Sequence, residues 1–328
     1  MNEPINKWEE APLVFIGVDT GYHLIKTKNH IFSNGVTRFE SEPPLLTETI
    51  QVGSDYYAIG GERLTVMDDK TANEDYLILT MAAIAKELRT RGHGMKARVV
   101  LGVGVPFKRM GKEKGSLLKY FEEHNLYFYK YEGEWVQIRL EEVYCFPQCY
   151  AAIADRIPNM RGRYVVADIG SWTKDVICLE DGKVQMDQCI TVPESIITLY
   201  QDIRDAVMEE TGTSIPESVV LNYIIGRDAV ISSEVIRVMN RCLERFATET
   251  EGLLKEKGFN PEYSQVIYLG GGATIMKKYG KRSPNVSYLE DIRANAIGYE
   301  RLAAYQWKRS GRSMENKPEI ASEVEVLT

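Results

Sequence analysis

Apolar and polar positions along the chain follow two periods, and the switches between them mark out strands, helices and turns. Leu13–Asp19 is an apolar run that closes on Gly17-Val18-Asp19-Thr20-Gly21, which predicts a buried strand and a tight turn. Thr27–Phe32 reads as the return strand of a hairpin, and Thr37–Thr49, punctuated by Pro43-Pro44, as loop. Thr49–Val52 and Tyr56–Ile59 flank Gly53-Ser54-Asp55 as a second hairpin. Within Glu74–Arg91, Leu77, Met81, Ile84, Ala85 and Leu88 recur at helical spacing. Ala97–Val105 has the composition of a buried strand, closed by Pro106. Lys108–His124 predicts a charged helix, Tyr127–Tyr131 with Trp135–Leu140 a hairpin, Glu142–Phe146 a short strand, and Gln148–Asp155 the start of a helix.

The pattern then restarts. Tyr164–Asp168 is an apolar strand, followed by Ile169-Gly170-Ser171, a strand Asp175–Leu179, the turn Glu180–Lys183 and a strand Val184–Cys189. Helices are predicted over Glu194–Thr211, Ser232–Lys257 and Asp291–Gln306, and strands over Val219–Ile225 and Val266–Leu269. Leu13–Gly35 and Tyr164–Asp187 share one plan: apolar strand, Asp, small residues with Gly, second strand, turn, third strand. The repeat is of architecture rather than of sequence, and it predicts a duplicated α/β lobe with a site between the halves.

Composition narrows the function classes. The 328 residues, 44% hydrophobic and 27% charged, suit two medium domains. A net charge of −7 argues against a sequence-blind nucleic-acid surface, which needs concentrated Lys and Arg. No apolar run reaches the roughly 18–20 residues of a membrane span, and Met1–Pro12 lacks a signal-peptide core. A cytoplasmic location is expected, with no membrane and no direct nucleic-acid partner. The five cysteines are scattered. Cys145 and Cys149 form the only close pair, no second pair completes a zinc site, and buried thiols are the reading.

Three segments carry candidate chemistry. In Ile16–Lys26 an Asp at a strand end, Asp19, can face a cation. Gly21 allows close approach of backbone N–H groups to a phosphate, and Lys26 can reach the same anion; a plain hairpin with a solvated Asp is the alternative. In Val165–Asp175 the order Asp168-x-Gly170-x-x-Thr173 offers a carboxylate for Mg2+ through water, a glycine for phosphate approach and a hydroxyl. In Val266–Ala273 the glycines Gly270, Gly271 and Gly272 clear space where a flat ligand or ribose–phosphate can lie against backbone; a Gly-rich turn into a helix is the alternative. There is no P-loop, no third glycine to make Gly102-x-Gly104 a dinucleotide fingerprint, no ligand spacing among the four His, and no nucleophile elbow. The run Lys108–Lys119 reads as a solvated helix face.

Together, in this order and spacing, the three segments resemble the actin superfamily, from about Phe15 to Ala303. The resemblance implies an α/β, actin-like (ribonuclease H-like) duplicated two-lobe fold with a nucleotide cleft between the lobes. The expected lobes are 1–155, with a helix about 291–307 returning to it, and 156–290, followed by a polar tail 308–328. It implies ATP (or GTP) with Mg2+ as ligands. Asp19 and Asp168 would hold metal-bound waters, and backbone near Thr20, Gly21 and Tyr22 and near Gly170, Ser171 and Trp172 would meet the phosphates, assisted by Lys26 and Thr173. Gly270–Ala273 would lie at the adenosine. Val143–Ala152 resembles the first connector between lobes, which implies Gln148 as the residue orienting the attacking water; a helix-capping amide is the alternative. Asn295-Ala296-Ile297-Gly298 resembles the second, where small residues allow close helix crossing. Chain length and Gly102–Pro106 point within the superfamily to the bacterial ParM/StbA plasmid-partition group and archaeal actin-like proteins. A hydrolysing cytoskeletal filament, built from copies of itself and linked to DNA by an adaptor, is the expected function. A sugar or acyl kinase of the same superfamily and a non-polymerising nucleotide-binding scaffold are the alternatives. Trp172 and Tyr22-His23 depart from the family in being bulkier than its usual small residues.

Overall fold

The computed structural model describes residues 8–43, 47–61, 63–65, 70–123, 125–227 and 230–312, and the chain divides into two compact units. One comprises residues 1–105, 109–147 and 295–328; the other comprises 106–108 and 148–294. The expected polar tail lies, from residue 313 on, outside the described residues.

The first unit opens with β1 (Leu13–Gly17), β2 (Asp19–Thr20), β3 (Leu24–Lys26), β4 (Ile31–Ser33) and β5 (Val36–Phe39). Then come β6 (Thr49–Val52), β7 (Asp55–Ile59), α1 (Asp75–Arg91), β8 (Lys96–Val105), α2 (Met110–Glu122), β9 (Leu126–Tyr131) and β10 (Glu134–Pro147). Seven strands form one sheet in the order β1-β8-β10-β9-β6-β7-β5, while β2, β3 and β4 form a small separate sheet. Strand β1 runs parallel to β8, and the ladder extends one residue past it through Val18 N–H to the Gly102 carbonyl at 2.8 Å. The core on the α1 face is built from alternate strand residues such as Ile16, Val99, Leu101 and Tyr129, packed on Leu79, Ala82 and Leu88. Three expectations change here. The return strand opposite Asp19 is β3, Leu24–Lys26, rather than Thr27–Phe32, whose Ile31 and Phe32 belong to the third strand, β4. Val36–Phe39 is a strand rather than loop, paired with β7, and Glu142–Phe146 is the far end of the 14-residue β10, beyond a bulge at Glu141.

The second unit contains α3 (Tyr150–Ile153), β11 (Arg163–Ile169), β12 (Thr173–Glu180), β13 (Lys183–Val184), β14 (Ile190–Pro193) and α4 (Ile196–Thr211). It continues with α5 (Glu217–Ile224), α6 (Ser233–Glu256), β15 (Gln265–Leu269), α7 (Ala273–Tyr279) and β16 (Val286–Leu289). Its sheet runs β13-β12-β11-β15-β16, with β14 added beside β12. Both faces are covered, which is why β11 and β15 read as unbroken apolar runs. Val219–Ile225 is helix α5 instead of the expected strand. Its buried residues Val220 and Ile224 stand four apart, the helical period, and Pro216 with Glu217 starts the helix. Val184–Cys189 is likewise not a continuous strand, because a 3-10 turn at Met186–Gln188 separates β13 from β14.

Helix α8 (Ala294–Arg309) ends the described chain and covers the second face of the first unit's sheet, with Ala303 and Trp307 buried against Val100. Its path explains three glycines. A Cβ on Gly17 would sit 2.7 Å from the Glu300 nitrogen and closer still to the Ala296 carbonyl, one on Gly102 2.6 Å from the Tyr299 carbonyl, and one on Gly104 inside the Tyr299 ring. Gly102-x-Gly104 is therefore the seat of a helix. Among the described residues no helix is long and apolar enough to cross a membrane.

Candidate functional site

In the first unit, β2 and β3 place Asp19 directly opposite Lys26, so the two side chains share a face. The carboxylate is buried, with Lys26 Nζ 2.9 Å from Oδ2. The turn between the strands demands Gly21: its N–H bonds the carbonyls of Asp19 and Leu24, both at 3.1 Å, and a Cβ there would stand 2.6 Å from the Leu24 carbonyl. That N–H points into the turn, and the space a side chain would take is filled by the Leu24 carbonyl. Thr20 is buried, and its carbonyl accepts a hydrogen bond from Lys70 Nζ. The Lys70 ammonium also lies 4.5 Å from the centre of the Tyr22 ring and 5.3 Å from that of Tyr76. Burial pushes its pKa down to about 8; Asp19 opposes the shift and Lys26 adds to it. Sequence reasoning missed Lys70. It stands in an irregular stretch ahead of α1, about 50 residues from the turn it touches, and no spacing rule links the two.

In the second unit, β11 and β12 bring Asp168 opposite Asp175. The turn between them closes through the Gly170 N–H to the Thr173 carbonyl at 2.9 Å. Its carbonyls are held from the other side by the start of α4: the Ser195 hydroxyl donates to Gly170 at 2.6 Å, and the Ile197 N–H to Ser171 at 2.9 Å. Asp175 is buried and accepts from the hydroxyls of Thr173, at 2.8 Å, and Thr191, at 2.6 Å. The Thr173 proton is thus directed at Asp175. Trp172 is half-buried in the turn between Ser171 and Thr173.

The glycine segment meets the same carboxylate. Strand β15 runs parallel to β11 and pairs Leu269 with Asp168, so the chain leaves the sheet beside Asp168. Gly270 has φ +80°, and a Cβ there would lie 2.8 Å from the Ile169 carbonyl and closer still to Asp168 Oδ1. Gly272 donates to the Ile169 carbonyl at 2.9 Å, and a Cβ on it would lie 2.6 Å from Ile169 Cβ. Gly271 differs: its Cβ would meet only Ile196 Cδ1, at 3.4 Å. Ala273 is buried as the first residue of α7.

Gln148 enters through an unusual turn. Its carbonyl accepts the Tyr150 N–H at 2.7 Å across Cys149, which has φ 63° and ψ −58°. This is a γ-turn of the rare positive-φ kind. The fully buried Cys149 thiol donates to the Asp175 carbonyl at 3.1 Å, and burial, then Asp168 and Asp175, hold its pKa well above the ordinary thiol range. Backbone strain at a non-glycine residue is a recurrent mark of functional sites. Here it falls at the residue joining Gln148 to the Asp168–Asp175 pair. Gln148, Asp168, Gly170, Thr173 and Gly270 are thus brought together within the second unit, and Asp19, Thr20, Gly21, Tyr22 and Lys26 within the first.

Two family models match the chain, one after the other. Residues 17–150 match the N-terminal domain of actin-like proteins, and residues 166–279 match the C-terminal domain of the archaeal actin homologue, MreB-like. The chain is an actin-like protein. Solved structures of the same fold include an archaeal actin homologue, Ta0583, in complex with ADP, 20% identical with a TM-score of 0.71. That match covers 89% of this actin-like protein and 99% of the other chain. The pSK41 ParM protein, in its apo form, is 16% identical with a TM-score of 0.68, over 92% and 99% of the two chains. A 15-stranded ParM filament from Clostridium botulinum is 15% identical with a TM-score of 0.69, over 90% and 99%. By sequence, none of the curated proteins matches.

Proposed function

We propose that this actin-like protein binds ATP and hydrolyses it, with the Asp19 turn in the first unit and the Asp168 and Gly270 turns in the second as its candidate nucleotide-binding segments, and that it assembles into filaments. The observation that carries the reading is the fit of Gly270 against Asp168: two remote segments, each a weak signal alone, meet at one buried carboxylate, packed so closely that no side chain fits at Gly270. Actin homologues solved with ADP and as filaments support both halves of the proposal.

The residues present suit a polyphosphate. In the first unit Lys26 supplies a cationic donor, and in the second the backbone N–H groups at Ser171 and Gly271 supply neutral ones, since those of Gly170 and Gly272 are bonded within their turns. Among the described residues no group of three or more His, Cys, Asp or Glu side chains could hold a metal alone, so a magnesium ion would be held by Asp19 and Asp168 through water together with the phosphates. That ion would neutralise phosphate charge. Gln148 orients a water for in-line attack on the γ-phosphorus; the bond to the β–γ bridging oxygen breaks, the water's proton passes to a phosphate oxygen, and ADP and phosphate leave. An amide is too weak a base to take the proton, so catalysis is positioning plus electrostatics and turnover is slow. Filament contacts would complete the site, coupling assembly to hydrolysis. Movement of plasmid DNA through an adaptor protein is proposed from the likeness to ParM.

The test is phosphate release from ATP with Mg2+ by the wild-type protein and by Asp168→Ala, with GTP and an added sugar as further arms. Release from ATP that falls roughly 100-fold or more in the variant supports the site. Unchanged hydrolysis by Asp168→Ala removes the assignment, and phosphate appearing on the sugar instead of in solution makes the protein a kinase.

A further inference from the structure

We propose that Lys70 is a phosphate ligand of the nucleotide site, completing with Lys26 a pair of ammonium groups set around Asp19. The inference rests on the nucleotide reading of the Asp19 turn and extends it to a residue that no motif marks.

Three observations support it. First, Lys70 meets the turn itself: its ammonium donates to the Thr20 carbonyl and lies over the Tyr22 ring, so it touches two of the three residues proposed to face phosphate. Second, the local charge is unbalanced. Among the described residues Lys70 feels two anions, Asp19 and Glu113, against two cations, Lys26 and Arg109, so its own ammonium is the excess charge beside the Asp19–Lys26 pair at 2.9 Å. Third, the ammonium has three N–H donors. Among the described residues its one hydrogen-bond acceptor is the Thr20 carbonyl, while the rings of Tyr22 and Tyr76 hold it in place. Lys70 is half-buried, so its other N–H groups are open to an anion that reaches the turn. A β- or γ-phosphate oxygen supplies both the missing negative charge and the missing acceptors. A purely structural lysine, by contrast, gains only what its bond to Thr20 and its ring contacts return.

The test compares wild type, Lys70→Met and Lys70→Arg. Methionine keeps an unbranched chain against the two rings without the charge; arginine keeps the charge. ATP and ADP affinities are measured by calorimetry and melting temperatures without nucleotide. The expected result is a loss of roughly 10- to 100-fold in ATP affinity for Lys70→Met, the range for a charge-assisted hydrogen bond. Partial recovery is expected in Lys70→Arg, and a nucleotide-free melting temperature for Lys70→Met no lower than wild type. Equal ATP affinity in Lys70→Met overturns the inference, as does a loss that arginine does not recover in any part. If Lys70→Met does not fold, Lys70→Arg against Lys70→Gln decides by the same criterion, equal affinity again overturning it. Failure of the wild-type protein to bind ATP removes the nucleotide reading itself, a result distinct from failure of Lys70 alone.

Discussion

Gly270→Ala against Gly271→Ala separates a glycine that the candidate site requires from one it does not. Gly270 has φ +80°, so any side chain there incurs roughly 1–2 kcal/mol of left-handed backbone cost. The new Cβ would stand 2.8 Å from the Ile169 carbonyl, against 3.4 Å for an ordinary contact, and closer still to Asp168 Oδ1. Strand β11 is held on both sides by β12 and β15, so the backbone cannot yield freely, and overpacking adds roughly 1–3 kcal/mol. The sum, about 2–5 kcal/mol, lowers the melting temperature by roughly 5–15 °C for a unit of this size. The Asp168 carboxylate must also move, and in the role proposed for it a misplacement of roughly 1 Å costs about 100-fold in rate. Gly271 has no positive φ and only a 3.4 Å contact with Ile196, so Gly271→Ala should stay within about 0.5 kcal/mol of wild type. Thermal melts with phosphate-release rates provide the measurement. Equal stability and equal activity in the two variants would refute the reasoning that the glycine segment is fitted to Asp168.

Further outcomes follow from other parts of the structure. Gly17→Ala, placed against the backbone of α8 at Ala296 and Glu300, should destabilise the protein by roughly 1–3 kcal/mol or more, read by denaturant unfolding. Glu87 is buried and accepts from Thr27 at 2.5 Å, from the Asn29 N–H and side-chain amide at 2.8 Å, and from Arg91. Burial pushes its pKa up, but these donors outweigh it and leave the group below the ordinary glutamate range. Its stabilising contribution is therefore complete above that range and lost as pH falls through the lowered value; Glu87→Gln should flatten the acid limb of a stability–pH curve. Lys70 behaves oppositely. Its folded-state value near 8 against the ordinary 10.5 means that the charged amine destabilises the nucleotide-free fold below pH 8, and the penalty fades as pH rises towards 10.5. A Lys70→Met gain in melting temperature should accordingly shrink between pH 7 and pH 10. All five cysteines are buried and free, so a thiol reagent should label none in the native protein and five in denaturant.

Much of the fold was legible because its strands announce themselves. Leu13–Gly17, Ala97–Val105, Tyr164–Asp168 and Val266–Leu269 are apolar runs buried on both faces, and each is closed by a glycine, proline or aspartate. What escaped depends on partners remote in the chain. Val219–Ile225 is rich in β-branched residues, and only burial of Val220 and Ile224 four apart reveals a helix. Val36–Phe39 is a strand because β7 lies beside it, and its own half-exposed sequence carries little signal. At the candidate site the Asp and Gly positions were readable, since a turn needs those residue types whatever surrounds it. The hydroxyl of Thr173 directed at Asp175, the strained Cys149 turn and the approach of Lys70 to Thr20 were not. The first is a choice of side-chain direction within β12, and the other two involve contacts between segments 26 and 50 residues apart; no local period encodes them.

The central claim, a nucleotide-driven assembling ATPase, is tested most directly by following light scattering and phosphate release together after adding ATP and Mg2+ to the purified full chain. The account predicts a rise in scattering on ATP addition, decay as phosphate accumulates, and persistence with a non-hydrolysable analogue. No change in scattering and no phosphate release at high protein concentration would contradict it.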